Sequence, residues 1–305
     1  MQDAPTPSRT EYPDDELIRT LSADGQIAVR AVVARNLVAE ASTRRPVAPT
    51  ALNALGRCLV GAVLLATGNK HGEVVQLQFR GDGPLGSLTA ICDSEGRVRG
   101  TVKNPAVDLP LRAGSPDVAG AIGMGALSVV RSHPAWRVPY RGTVPLVSGE
   151  IAGDLTLYLT ESEQTPSAVA LGVALDADGL VAEAGGFLVS PLPGAAEDAI
   201  ARMESNVLNL PPVSQLLSEG LRANDLIDLL MVGFGTRERH ESRPEFYCPC
   251  TRARALRTLA LLGESELWEI IEAGESQEVC CEFCARAYQL STEEVERLLA
   301  ALEDD

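Results

Sequence analysis

The sequence predicts an α+β fold: an antiparallel-sheet N-terminal domain with packed helices, a helical linker, and a small cysteine-rich module at the C-terminus. Three observations carry this reading. The runs VVQLQFR, GSLTAIC and RVRGTVK are short and β-rich, and GDGPLG and DSEG separate them. Strand runs broken by turn sequences at this spacing form an antiparallel meander. Apolar residues then recur at helical spacing between positions 193 and 234, interrupted by Pro211 and Pro212, as in short amphipathic helices joined by breakers. Finally, five of the seven cysteines fall between Cys248 and Cys284.

Taken in order, residues 1–15 are polar and Pro-containing and are expected to be a disordered lead. From Gly25, QIAVRAVVARNLVAEA reads as a strand running into a helix. Thr50 to Thr67 is apolar on nearly all faces, which predicts a buried helix. The three-stranded meander follows. LSVVR and VPLVSGE extend the sheet, Ile151 to Glu163 predicts a helix, and AVALGVALD and LVAEAGGFLV flank a turn at Ala177 to Gly179. The core domain is expected to span 1–192, the helical linker 193–235 and the C-terminal module 236–305. The linker reads either as helices packed on the sheet or as a loosely docked segment whose apolar faces come off. Met203, Val207, Leu216, Leu217, Leu221, Leu226, Leu229 and Leu230 would form those faces.

The 305 residues are 45% hydrophobic but only 4% aromatic, so the core must be built mostly from Ala, Val and Leu. The formal charge of −16 opposes phosphate backbones, which argues against nucleic-acid binding. The start has no basic region leading into an apolar stretch, so no signal peptide is expected. The longest strongly apolar run, Cys58 to Thr67, falls short of the ~20 residues of a membrane span. A cytoplasmic protein with no membrane partner is the expectation.

Clustered cysteines in such a protein point to metal or redox chemistry rather than to a disulfide framework. The pattern is Cys248-Pro-Cys250, thirty intervening residues, then Cys281-Glu-Phe-Cys284. Two close thiol pairs that can converge are what a tetrahedral four-thiolate Zn²⁺ site needs. Cys248, Cys250, Cys281 and Cys284 are therefore the expected metal ligands. A module of ~70 residues has marginal stability from its core alone, so a metal would supply much of its folding free energy. The site is either purely structural or reactive. A disulfide across Cys-x-Cys closes a tight, readily reduced ring, and zinc keeps the sulfurs as the thiolates that oxidants attack. Cys280 sits beside an expected ligand and reads as a bystander or an off-pathway disulfide partner. Cys58 and Cys92 lie in apolar runs and read as buried structural thiols.

The chain resembles the 33-kilodalton heat-shock chaperonin family, whose members are redox-regulated holdases. The resemblance rests on ADGQIAVRA, GDGPLGSLTA, VKNPAVDLPL, YRGTVPLVSGEIAGDL, SEQTPSAVALGV, AGGFLVSPLPGA, LPPVSQLL, YCPCTRARALRTLALLG and VCCEFCARAYQL. It implies a reduced, zinc-bound, inactive state, with disulfides Cys248–Cys250 and Cys281–Cys284 forming under oxidative stress. Zinc loss would unfold the tail and destabilise the linker, and the activated homodimer would hold unfolding client proteins. No ATP motif is visible, and no catalytic residue is expected.

Three rival readings have weaker support. A nucleic-acid zinc ribbon needs a basic footprint, whereas residues 236–305 carry 8 Arg, no Lys and 16 acidic residues. A thiol-disulfide oxidoreductase needs a βαβ context, and only 21 residues follow Cys284. A hydrolase is poorly supported, because Ser148 lies outside any G-x-S-x-G and His71, His133 and His240 are scattered. The glycines of GAIGMG read as turn or packing positions.

Overall fold

The computed structural model describes residues 13–112 and 114–303. The chain divides into two compact units, the first ending at Phe246 and the second beginning at Tyr247. The expectation for residues 1–12 lies outside the described residues. Asp15, read as part of the lead, is buried instead. Its carboxylate accepts hydrogen bonds from Asn36 N (2.9 Å) and Leu37 N (2.7 Å), the otherwise unpaired donors of the first turn of a helix.

The first unit opens with β1 (Glu16–Leu21) and β2 (Ile27–Val33), then α1 (Arg35–Arg44) and α2 (Pro49–Ala66). The meander β3 (Val74–Gly81), β4 (Ser87–Asp93) and β5 (Arg97–Val102) precedes the short α3 (Val118–Ile122). Next come β6 (Gly125–Ser132), β7 (Tyr140–Pro145), α4 (Ala152–Glu161) and the hairpin β8 (Ala168–Leu175) and β9 (Val181–Pro191). Three helices follow, α5 (Glu197–Leu208), α6 (Val213–Ser218) and α7 (Ala223–Leu230), then the short strands β10 (His240–Ser242) and β11 (Glu245–Phe246).

These elements build two sheets. One has the strand order β10-β1-β2-β9-β8 and the other β11-β5-β4-β3-β6-β7. Every pairing is antiparallel except β11 with β5. Helix α2 packs against strands of both sheets, which explains why nearly every one of its side chains is buried. Its glycine and the strand glycine that faces it permit this close approach. A Cβ at Gly61 would lie 2.7 Å from Leu155 Cδ1, and one at Gly100 would lie 2.8 Å from Leu59 Cδ2. The strands facing α2 alternate as expected, with Val75, Leu77 and Phe79 of β3 and Leu88, Ala90 and Cys92 of β4 buried.

The segment expected as a linker packs within this unit. Helices α5–α7 cover a face of the five-stranded sheet formed by Ile18, Ile27, Val29, Ala31, Val33, Phe187 and Val189. The first unit therefore runs past 192 and past 235. Segment 236–246 belongs to it because β10 pairs with β1 and β11 pairs with β5. Both strands are short and largely exposed, and no periodicity marks them in the sequence.

The second unit comprises α8 (Arg252–Leu259), α9 (Glu264–Ala273), the hairpin β12 (Gln277–Cys280) and β13 (Ala287–Leu290), and α10 (Thr292–Glu303). Its core is small: Ala255, Leu259, Leu267, Leu290, Val295 and Leu299 are buried together.

Candidate metal centre

Two loops carry the four cysteines. Cys248-Pro249-Cys250 immediately precedes α8, whose N-cap Thr251 accepts a hydrogen bond from Arg254 N. Arg254 Nη1 donates to Pro249 O (3.1 Å), which ties the helix back onto the loop. Arg252 holds the same helix start to the rest of the unit by donating to Gln289 O and pairing with Glu294.

Cys281 and Cys284 lie in the turn of the β12–β13 hairpin. Cys281 N donates to Arg286 O (3.0 Å) and Ala285 N donates to Cys281 O (2.9 Å). This tight knuckle puts Ala285 at φ 56°, a left-handed conformation that a Cβ penalises.

The knuckle and the Cys-Pro-Cys loop bring four sulfurs together, all within 4.8 Å of one another. Cys248 Sγ lies 3.6 Å from Cys281 Sγ, and Cys250 Sγ lies 3.3 Å from Cys284 Sγ. A tetrahedron of thiolates at ~2.3 Å from a zinc ion has edges of about 3.8 Å, so the donor set fits a four-thiolate cation site. All four thiols are free. The two shortest contacts run across the knuckles rather than within them.

The electrostatics of the cluster are uneven. Burial raises the Cys250 thiol, but hydrogen bonds, first from Tyr288 Oη at 3.2 Å and then from the other three cysteines, outweigh it and bring Cys250 down to about 7. Burial pushes Cys248 and Cys284 up. A nearby cation would supply the opposite charge that keeps all four as thiolates. Tyr288 escaped the sequence reading, since a tyrosine four residues past a knuckle carries no distinguishing signal.

Cys280 stands apart. It is exposed, its sulfur contacts Glu278 Oε1 at 3.6 Å, and it is not among the four converging thiols. Cys58 and Cys92 are fully buried, and burial raises both thiols. His71, His133 and His240 do not join the cluster.

The apolar linker residues come together elsewhere. Met203, Leu216, Leu217, Leu226 and Leu230 are buried, and Val207, Leu221 and Leu229 partly so, in one cluster against the five-stranded sheet. The seven sheet residues beneath them were not singled out from sequence, because a strand does not announce which of its faces a distant helix will cover.

Known proteins match along nearly the whole chain. A family model described as Hsp33 protein matches residues 15–291. The 33 kDa chaperonin of Geobacter sulfurreducens is 41% identical over 288 residues, covering 94% of this chain and 96% of that protein. The chain belongs to the Hsp33 family. The 33 kDa chaperonin of Synechococcus elongatus is also 41% identical, over 95% of this chain and 98% of its own length. The crystal structure of the Hsp33 homologue from Thermotoga maritima superposes with a TM-score of 0.88 at 36% identity, covering 96% of this chain and all of that one. An Hsp33 protein is named for chaperone activity, not for an enzymatic reaction. The α+β architecture agrees with this membership. Among the described residues, α2 alone is long and apolar enough to cross a membrane, and it is buried inside the protein.

Proposed function

We propose that this chain is a redox-regulated, ATP-independent holdase that binds unfolding proteins in the cytoplasm and prevents their aggregation. The observation that carries the reading is the convergence of four free thiols in a unit with a very small core of its own. Cys248, Cys250, Cys281 and Cys284 would hold Zn²⁺, which keeps them as thiolates and supplies much of the unit's folding free energy. An oxidant that takes two electrons from each thiolate pair forms Cys248–Cys250 and Cys281–Cys284 and releases the metal. Without it the second unit loses its fold.

Loss of that unit frees the chain leaving Phe246 and weakens the hold of α5–α7 on their sheet. Met203, Val207, Leu216, Leu217, Leu221, Leu226, Leu229 and Leu230, with the sheet face beneath them, then become the surface for apolar segments of clients. The active form is a homodimer. An acidic chain of net charge −16 suits this role, because it stays soluble while apolar surface is exposed.

The experiment is light scattering of a heat-unfolding client with reduced and with peroxide-treated protein, alongside zinc release and mass-spectrometric disulfide mapping. Suppression by the oxidised protein alone, with one zinc released per chain, is the expected result. Zinc release without suppression refutes the chaperone switch. Disulfides that follow the closer contacts, Cys248–Cys281 and Cys250–Cys284, refute the assigned pairing.

A further inference from the structure

A row of basic side chains crosses the five-stranded sheet. The register places His240 opposite Arg19, and Arg19 opposite Arg30. Like charges directly opposite one another on neighbouring strands are destabilising. Neither arginine forms an ion pair with a carboxylate among the described residues. Glu163, which acts electrostatically on Arg30, is taken by Arg131 (2.7 Å) and Tyr158 (2.8 Å).

Arg19 and Arg30 line a recess of about 550 Å³ together with Thr20, Gly68, Arg237 and His240. That volume is in the range of small-molecule sites. Glu238 is the single carboxylate among the lining residues, so three arginines face one glutamate in a chain whose net charge is −16. Gly68, at φ +90°, leaves room for the Arg30 guanidinium, since a Cβ there would lie 2.9 Å from Nη2. Arg30 Nη1 donates to Leu64 O (3.1 Å) near the end of α2. That contact explains one cation, and Arg237 Nε has a long bond to Ala23 O (3.3 Å). Neither accounts for three guanidinium groups around one opening. Burial, then the neighbouring Arg19 and Arg131, push Arg30 down to about 10, which marks the recess as short of negative charge.

We propose that this recess binds a polyvalent oxyanion of the phosphate type through Arg19, Arg30, Arg237 and His240. Arg19 and Arg30 belong to β1 and β2, whereas Arg237 and His240 belong to the segment leading out of the first unit. The anion therefore bridges that segment to the sheet. A ligand that binds only the docked arrangement stabilises it. The regulatory consequence, which rests on the holdase reading above, is that the anion delays activation.

The test uses the reduced, zinc-loaded full chain in isothermal titration calorimetry at matched ionic strength. Pyrophosphate is the free-anion probe and ADP the nucleotide-borne one. Pyrophosphate should bind at least tenfold more weakly to Arg19→Gln than to the unsubstituted protein. Arg19→Gln also removes a like-charge pair, so its thermal midpoint without anion should be unchanged or higher, which shows that it folds. ADP binding as tightly as pyrophosphate assigns the phosphate to a nucleotide, and weaker ADP binding assigns it to a free anion; each supports the site. Absence of pyrophosphate binding, or equal binding by both proteins, overturns it. After peroxide, pyrophosphate should delay client protection severalfold in the unsubstituted protein and not in Arg19→Gln, which keeps all four cysteines and so controls for metal chelation. Binding without any delay overturns the regulatory step. A protein that never protects clients overturns the holdase reading and leaves the calorimetry standing.

Discussion

Replacing Leu226 by Ala should release α7 from the sheet in the reduced protein. Leu226 is fully buried, and α7 also buries Ala223, Ile227 and Leu230. Burying the three larger side chains contributes ~1.5–3 kcal/mol each, about 5–9 kcal/mol in all. Fixing eight backbone residues costs about 8–16 kcal/mol at ~1–2 each, and helix hydrogen bonds return ~1 kcal/mol apiece. The terms nearly cancel, so the helix is held by a narrow margin. Leu→Ala in a core costs ~2–5 kcal/mol, which raises the undocked population about 30-fold to several thousand-fold. Hydrogen exchange across residues 223–231 measures this directly, and scattering of a heat-unfolding client measures the consequence. Accelerated exchange and client protection without oxidant are the expected pair. Accelerated exchange with no gain in protection refutes the assignment of these apolar faces to client binding. Unchanged exchange refutes the narrow margin.

Cys250→Ser removes one sulfur of the cluster and the acceptor of Tyr288. With metal worth on the order of 10 kcal/mol in comparable small modules, the variant should purify without zinc and show tail amides exchanging freely, as metal analysis and exchange mass spectrometry will report. Ala285→Gly relieves the Cβ penalty at φ 56° and should stabilise the tail by about 1 kcal/mol, read as a higher midpoint for zinc loss on heating. Burial raises Asp15 to about 6 despite its bonds from Asn36 and Leu37 and the charge of Arg222. The folded protein therefore binds the proton more tightly than the unfolded chain, so this group's stabilisation is present at low pH and is lost as pH rises from about 4 to 6, some 3 kcal/mol in total. Denaturant midpoints between those values should show the loss, and Asp15→Asn should flatten it.

The parts of the fold that were legible in sequence are those where burial follows a period. α2 reads as buried because apolar residues occupy all its faces, and the meander reads as sheet because β3, β4 and β5 alternate between turns rich in Gly and Asp. The cysteine spacing is legible for a similar reason, since two loops can offer four thiols only if each pair is close in sequence. What escaped depends on distant partners. β10 and β11 have polar, exposed side chains and become strands only because β1 and β5 offer edges. β1 lies directly behind a lead that looks disordered. The pairing of Arg19 with Arg30 needs the strand register, and the donor Tyr288 needs the knuckle's geometry.

The seven residues from His240 to Phe246 join one edge of each sheet of the first unit, three register pairs through β10 and two through β11. Phe246, the last of them, lies under the Arg44 guanidinium at 5.0 Å. Such a seam opens like a zip, one bridge after another from Tyr247 backwards, instead of failing all at once. Phe246 and Glu245 part from Val98 and Arg97 first, then Ser242, Glu241 and His240 leave Leu17, Ile18 and Arg19 in turn. For a disturbance that begins at the cysteines, this stitch sets how far it travels before the sheets feel it.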